Sequence, residues 1–135
     1  MSTRGMFVAL ALAFVLASTP AQAATANFQG NCTTSSGSPI SCLFSPNKAP
    51  QGQPFTGCNG NGLSSYSWDF GDGTSATTFP TVDFGRASHT YPSGFLGVFV
   101  DLTVHCSNGD SATVRHCVTT NPSAGCVVVN LGWSP

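Results

Sequence analysis

The chain has 135 residues, only 7% of which are charged, and its formal net charge at pH 7 is -1. Its 4 Lys and Arg residues are scattered, so it lacks the cluster of cations that strong binding to nucleic-acid phosphates requires. All 5 acidic residues are Asp, and no nucleophile-elbow, phosphate-loop or His-Glu-x-x-His motif is present. We therefore expect that the protein is not an enzyme, that it holds no metal or cofactor, and that it does not bind nucleic acid.

The N-terminus has the pattern of a secretory signal peptide. Arg4 precedes an apolar run from Met6 to Ala17, and the small-residue site Ala21-Gln22-Ala23 follows. The run is too short for an ordinary transmembrane helix, and no later segment is longer. The sequence predicts a signal peptide over 1–23, cleaved after Ala23, and a secreted product that is extracellular, surface-bound or periplasmic without a membrane span. Residues 24–120 would form one domain, followed by a tail over 121–135.

The chain contains 6 cysteines, all of them in the part that would be exported. An even count in an oxidising compartment indicates three disulfides, and the absence of a Cys-x-x-Cys pair disfavours zinc. Six cysteines allow fifteen connectivities. We favour Cys32–Cys42, because both residues lie on adjacent candidate strands, and then Cys58–Cys106 and Cys117–Cys126.

The first half of the domain is predicted to contain two strands and a long loop. Ala26–Cys32 is the first strand. Ile40–Ser45 is the second, because its apolar residues alternate. The loop Pro46–Gly62 is rich in Pro, Gly, Asn and Gln, and Phe55 and Cys58 are its expected tethers.

The next segment, Tyr66–Phe70, carries aromatic residues at alternate positions. Tyr66, Trp68 and Phe70 therefore share one face of a strand, and we expect that face to belong to the core. Gly71 and Gly73 flank Asp72 where the chain must reverse, which favours a tight hairpin into a strand over Thr74–Thr78.

The run Trp68-Asp69-Phe70-Gly71-Asp72-Gly73, followed by Ser88-His89-Thr90-Tyr91, resembles the signature of the PKD (polycystic kidney disease) domain family. The resemblance extends from about Ala26 to Val118. It implies an all-β, immunoglobulin-like β-sandwich of PKD type, here braced by disulfides. It also implies that the signature residues are structural, with His89 part of the fold rather than a catalyst. Tyr91 would be buried, with its hydroxyl bonded to nearby backbone.

Beyond the signature, the connection through Pro80, Phe84 and Gly85 is long, and Phe79 and Phe84 are expected to pack over an end of the sandwich. Apolar residues then alternate in the clearest strand of the chain, whose inward face comprises Val98, Val100, Leu102, Val104 and Cys106. A turn at Ser107–Asp110 leads into a last strand over Ala112–Val118.

Two metal hypotheses are weaker than their structural alternatives. Asp69, Asp72 and Asp83 could supply oxygen ligands for calcium, but we favour solvated turn carboxylates because the EF-hand spacing is absent. His105 and His116 lie near the two arms of the last hairpin, where we favour ordinary polar strand residues.

The family resemblance implies a non-catalytic module that binds an extracellular protein or polysaccharide. Exposed aromatic side chains would stack on sugars, and the candidates outside the signature are Phe55, Phe79, Phe84, Phe95 and, as a weak ligand-binding candidate, Trp133 in the tail. The tail is also a candidate for an added edge strand, in which Trp133 would either pack in the core or dock on a partner's sheet edge, and we favour packing over ligand contact. The alternative function is a structural or enzyme-inhibitory domain that acts through the loop 46–62. The oligomeric state is left open.

Overall fold

The computed structural model describes residues 23–33, 39–46 and 55–119. Within these residues the chain forms seven strands and no α-helix. A short 3-10 turn covers Asp83–Gly85. The strands are β1 (Gln29–Thr33), β2 (Ile40–Ser45), β3 (Leu63–Asp69), β4 (Ser75–Thr78), β5 (Ala87–Tyr91), β6 (Gly97–Cys106) and β7 (Ser111–Thr119).

The strands form two antiparallel sheets that enclose one core. The first sheet has the order β1-β2-β5, and the second has the order β4-β3-β6-β7. Every strand pair within them is antiparallel. The expectation of an all-β, sandwich-like fold is therefore confirmed.

Alternation along the strands explains how the core is built. In β2, Ile40, Cys42 and Phe44 are buried while Ser41 and Leu43 are exposed. The inward face of β6 is equally regular, because Val100, Leu102 and Val104 have no exposed surface. Side chains that alternate in this way cover the facing sheet and leave the other face to solvent.

Trp68 of β3 lies at the centre of the core and is 1% exposed. Its ring packs edge-on against Phe28 at 5.3 Å between centroids, and tilted against Phe44 at 5.9 Å. Its indole N–H donates to Thr78 Oγ1 at 3.0 Å, so the polar atom of the ring is satisfied inside the fold. Tyr66 and Phe70 are buried beside it, as their spacing predicts.

The hairpin between β3 and β4 has the predicted backbone conformation. Gly71 and Gly73 have φ angles of 77° and 88°, in the region that only glycine enters without strain. The Phe70 N–H donates to the Thr74 carbonyl at 3.0 Å and closes the loop. At Gly71 a Cβ would lie 2.1 Å from the Phe99 carbonyl oxygen, so glycine also lets the turn approach β6 closely.

The predicted first strand, Ala26–Cys32, is wrong at its beginning. Strand β1 starts only at Gln29, because side chains occupy the preceding backbone donors. The Asn27 N–H donates to the Thr56 hydroxyl at 2.7 Å, and the Phe28 N–H donates to the Asn27 carboxamide at 2.9 Å. Phe28 nevertheless reaches the core, where it is fully buried.

Two of the three predicted disulfides are present in the described residues. Cys32–Cys42 joins directly opposite residues of β1 and β2, whose Cα atoms are 4.0 Å apart. Cys58–Cys106 connects the segment before β3 to the end of β6. Cys117 is also disulfide-bonded, and its predicted partner Cys126 lies outside the described residues.

Several predictions fall mostly or wholly outside the described residues. They are the signal peptide over 1–23, of which only Ala23 is described, the central part of the loop 46–62 at 47–54, and the tail 121–135 with Trp133. Within the ranges that are described, no helix has the length and apolar character needed to cross a membrane.

Candidate functional site

The two halves of the signature, Trp68–Gly73 and Ser88–Tyr91, meet between the sheets. Asp72, in the hairpin after β3, accepts from His89 Nε2 of β5 at 2.7 Å. The His89 ring stacks on Phe70, with centroids 4.2 Å apart and planes at 4°. Partial burial opposes ionisation of Asp72, but hydrogen bonds from Thr74 and His89 outweigh it and lower the pKa of this carboxyl group. These contacts couple the hairpin of one sheet to a strand of the other.

Tyr91 completes this junction. Its side chain has no exposed surface, and its hydroxyl donates to the Phe70 carbonyl oxygen at 3.0 Å. Burial raises the pKa of the Tyr91 phenol, and the nearby carboxylates Asp72 and Asp69 raise it further. The phenol is therefore a neutral hydrogen-bond donor at physiological pH, which is what a structural role requires.

The two remaining histidines do not form a metal pair. His105 faces outward from β6, and its Nε2 is 2.9 Å from the Ser67 hydroxyl. His116 faces inward from β7, where its Nε2 contacts the Asn27 carboxamide oxygen at 2.9 Å and its ring packs on Phe28. Burial lowers the pKa of His116 and favours its neutral form.

The three Asp residues of the calcium hypothesis are each used locally. Asp69 accepts from the Gly71 N–H at 2.9 Å, and Asp83 lies 3.5 Å from Arg86. Asp72 is bonded to Thr74 and His89. Among the residues that the structure describes, no three His, Cys, Asp or Glu side chains lie close enough together to hold a metal ion.

The predicted sugar-stacking aromatics occupy different environments. Phe55, Phe79 and Phe84 are exposed, so Phe79 and Phe84 do not cover an end of the sandwich as expected. The reason lies in the connection from β4 to β5, where Gly85, rather than either Phe, packs on the Tyr66 ring. Phe95 is half-buried and stacks on Tyr91 at 4.2 Å, which leaves its ring little free surface.

Phe99, which the sequence interpretation missed, is 58% exposed on the outer face of the four-stranded sheet. It lines an open groove of about 340 Å³, which we call the Phe99 groove. The alternation that turns Val100 inward turns Phe99 outward, so this signal was present in the sequence. The groove is lined by Asp69, Gly71, Val98, Phe99, Asp101 and Arg115.

Strand register brings the charged residues of the Phe99 groove together. Asp69 of β3 lies directly opposite Asp101 of β6, which lies directly opposite Arg115 of β7. Arg115 donates to both Asp101 oxygens at 2.7 Å, from Nε and from Nη2. Its guanidinium also lies over the Phe99 ring, 5.8 Å from the centroid.

The electrostatics of the Phe99 groove are unbalanced. Two carboxyl groups at directly opposite strand positions repel each other when charged, and among the described residues Arg115 is the single cation that faces them. Hydrogen bonds from Arg115 hold the pKa of Asp101 below its ordinary value, although partial burial acts in the opposite direction. The Asp101 carboxyl group is therefore ionised at neutral pH. The groove contains two acidic residues and one basic residue.

The Phe99 groove combines the groups that recognise hydroxyl-rich molecules. The exposed ring offers an apolar surface for the C–H face of a sugar. Carboxylate oxygens accept hydrogen bonds from hydroxyls, and Arg115 uses only two of its five N–H donors on Asp101. A few polar groups around an apolar surface are typical of a small-molecule site.

No family model, no curated protein and no solved structure matches this chain.

Proposed function

We propose that the chain is a secreted, non-catalytic binding module of PKD type that binds polysaccharide through the Phe99 groove. The observation that carries this proposal is the exposed Phe99 ring beside Asp69, Asp101 and Arg115 in one open groove. The disulfides Cys32–Cys42 and Cys58–Cys106 are compatible with an extracellular location.

Strand order supports the immunoglobulin-like assignment. The first, second and fifth strands share one sheet, while the third, sixth and seventh share the other, with the fourth added at the edge beside the third. Immunoglobulin-type sandwiches distribute their strands between two sheets in this way, and they bury a Trp of the third strand in the core. Trp68 of β3 occupies that position. Phe70 and Asp72 of the first half of the signature contact His89, and the Tyr91 hydroxyl contacts the Phe70 backbone, so His89 and Tyr91 have structural contacts.

The ionisation of Asp101 supports binding rather than hydrolysis. Glycoside hydrolysis needs one carboxyl group that holds a proton near neutral pH, and this requires a raised pKa. The pKa of Asp101 is instead lowered by hydrogen bonds from Arg115. Asp69 lies opposite it, and its carboxylate accepts from the backbone N–H of Gly71. An ionised Asp101 can accept hydrogen bonds from sugar hydroxyls but cannot protonate a leaving group.

Replacing Phe99 with alanine is expected to weaken glycan binding at least about tenfold, as for an aromatic residue at the centre of an interface. The purified mature chain would be screened on a glycan array, and titration calorimetry would then measure the affinity for the best arrayed glycan. Phe84→Ala is the matched control, because Phe84 is 64% exposed but does not line the groove. Equal binding by both variants and the wild type would rule out the groove as the site.

Replacing Asp69 with asparagine should raise the stability of the fold but weaken glycan binding. The change removes the repulsion between opposite carboxylates, and the carboxamide oxygen can still accept from the Gly71 N–H. We expect unfolding in urea to require about 0.2–1 kcal/mol more free energy, while glycan affinity falls. Ser75→Ala, next to Asp69 in the register, is the control for a general effect on the sheet. A variant that is both less stable and unaltered in binding would contradict this assignment of Asp69.

A further inference from the structure

The outer face of the four-stranded sheet extends the Phe99 groove into a longer polar surface. Along β6, the outward positions after Phe99 are Asp101, Thr103 and His105. Successive outward side chains of a strand are about 7 Å apart, so these four residues span about 20 Å. This length exceeds that of a single sugar ring.

Asp69, Asp101 and Arg115 form a charged row across the sheet. The next row of outward side chains carries hydroxyl groups. Thr103 lies opposite Ser67 of β3 and Thr113 of β7, and Ser67 lies opposite Thr77 of β4. One hydroxyl side chain from each of the four strands therefore crosses the sheet. The Thr103 and Thr113 hydroxyls are 2.8 Å apart, and Ser67 contacts His105 at 2.9 Å. Each hydroxyl can donate one hydrogen bond and accept two, so these pairs keep capacity for a ligand.

Charge on this face discriminates between classes of glycan. Within the part of the chain that the structure describes, Asp69 and Asp101 face one cation, Arg115, which is already bonded to Asp101. A uronate or sulfate would meet two carboxylates and only a shared guanidinium. Neutral hydroxyls, in contrast, are donors that carboxylates accept.

We propose that this face binds a neutral glycan chain of several residues, with one sugar on Phe99 and the following sugars along β6 over Thr103 toward His105. This inference rests on the proposed function, because it assigns a ligand class and further contacts to the same site. The aromatic ring anchors one end of the chain, and the hydroxyl row supplies hydrogen bonds to the rest. Affinity should therefore depend on chain length.

The test is titration calorimetry of the mature chain with cellohexaose, chitohexaose, mannohexaose, their disaccharides and hexagalacturonate. We expect at least one neutral hexamer to bind at least about tenfold more tightly than its disaccharide, and hexagalacturonate to bind more weakly than that hexamer. Thr103→Val keeps the shape of the side chain and the strand propensity but removes the hydroxyl. It should weaken hexamer binding about threefold to tenfold and leave disaccharide binding unchanged.

The matched control is Thr90→Val, because Thr90 is an exposed β5 residue on the other sheet. Equal affinity for hexamer and disaccharide, no effect of Thr103→Val, or preference for hexagalacturonate would overturn the extended neutral site. In each case, binding that still depends on Phe99 would leave the proposed function standing. A wild-type chain that binds none of these probes would overturn the polysaccharide proposal itself.

Discussion

Replacing Cys58 and Cys106 together with alanine is expected to lower the free energy of unfolding by about 4 kcal/mol, because it frees a loop with a sequence separation of 48. The same change at Cys32 and Cys42, whose separation is 10, should cost only about 3 kcal/mol. All four cysteines are buried, so the loss of side-chain packing is similar in the two variants. The difference between the two losses of stability therefore measures the effect of loop length.

Urea unfolding of both double variants, monitored by far-UV circular dichroism, measures this difference. Each variant keeps the other described disulfide, so each serves as the control for the other. Equal losses, or a larger loss at Cys32 and Cys42, would show that constraint of the unfolded chain is not the main contribution of these bridges.

Replacing Gly85 with alanine should be nearly as costly, at about 2–5 kcal/mol. Its φ angle is +74°, which strains any residue with a Cβ by about 1–2 kcal/mol. A Cβ there would also lie 2.0 Å from Cε2 of Tyr66. That ring is buried in the core and cannot move without disturbing its neighbours, so overpacking adds about 1–3 kcal/mol.

Gly73→Ala is the matched control for this change. Gly73 has a similar φ of +88°, but no atom lies within 4 Å of a Cβ built on it. Alanine at Gly73 should therefore cost only the backbone strain. Denaturant midpoints that fall by the same amount in both variants would mean that the contact between Gly85 and Tyr66 relaxes freely.

Local patterns were sufficient to predict the strands that contribute most to the core. The β2 and β6 segments alternate apolar and polar residues, and β3 alternates aromatic and polar residues. Such a segment must place one face in the core, whatever strand it pairs with. Strand β5 was not predicted, because only Ala87 and Tyr91 at its ends are buried. The position of β5 is set by its pairing with β2, and a local sequence pattern carries no information about that pairing.

The Phe99 groove was only partly accessible from the sequence. The predicted turn at Ser107–Asp110 brings β6 and β7 back on each other, and this register places Asp101 opposite Arg115. The position of Asp69 depends instead on the pairing of β3 with β6, which are distant in the chain. The aromatic residues that were predicted to stack on sugars lie outside the predicted strands, apart from the tail candidate Trp133, whereas Phe99 lies on β6.

The junction between the two halves of the signature has a consequence for how such chains can vary. Asp72 bonds to His89, Phe70 stacks on the same imidazole, and the Tyr91 hydroxyl bonds to the Phe70 carbonyl. A substitution at Asp72 or Phe70 therefore alters what His89 contacts, whereas the Tyr91 hydroxyl depends only on the Phe70 backbone. We expect Asp72 and Phe70 to covary with His89 among related chains, because both side chains contact the imidazole directly. Loss of the Tyr91 hydroxyl would leave the buried Phe70 carbonyl without its donor.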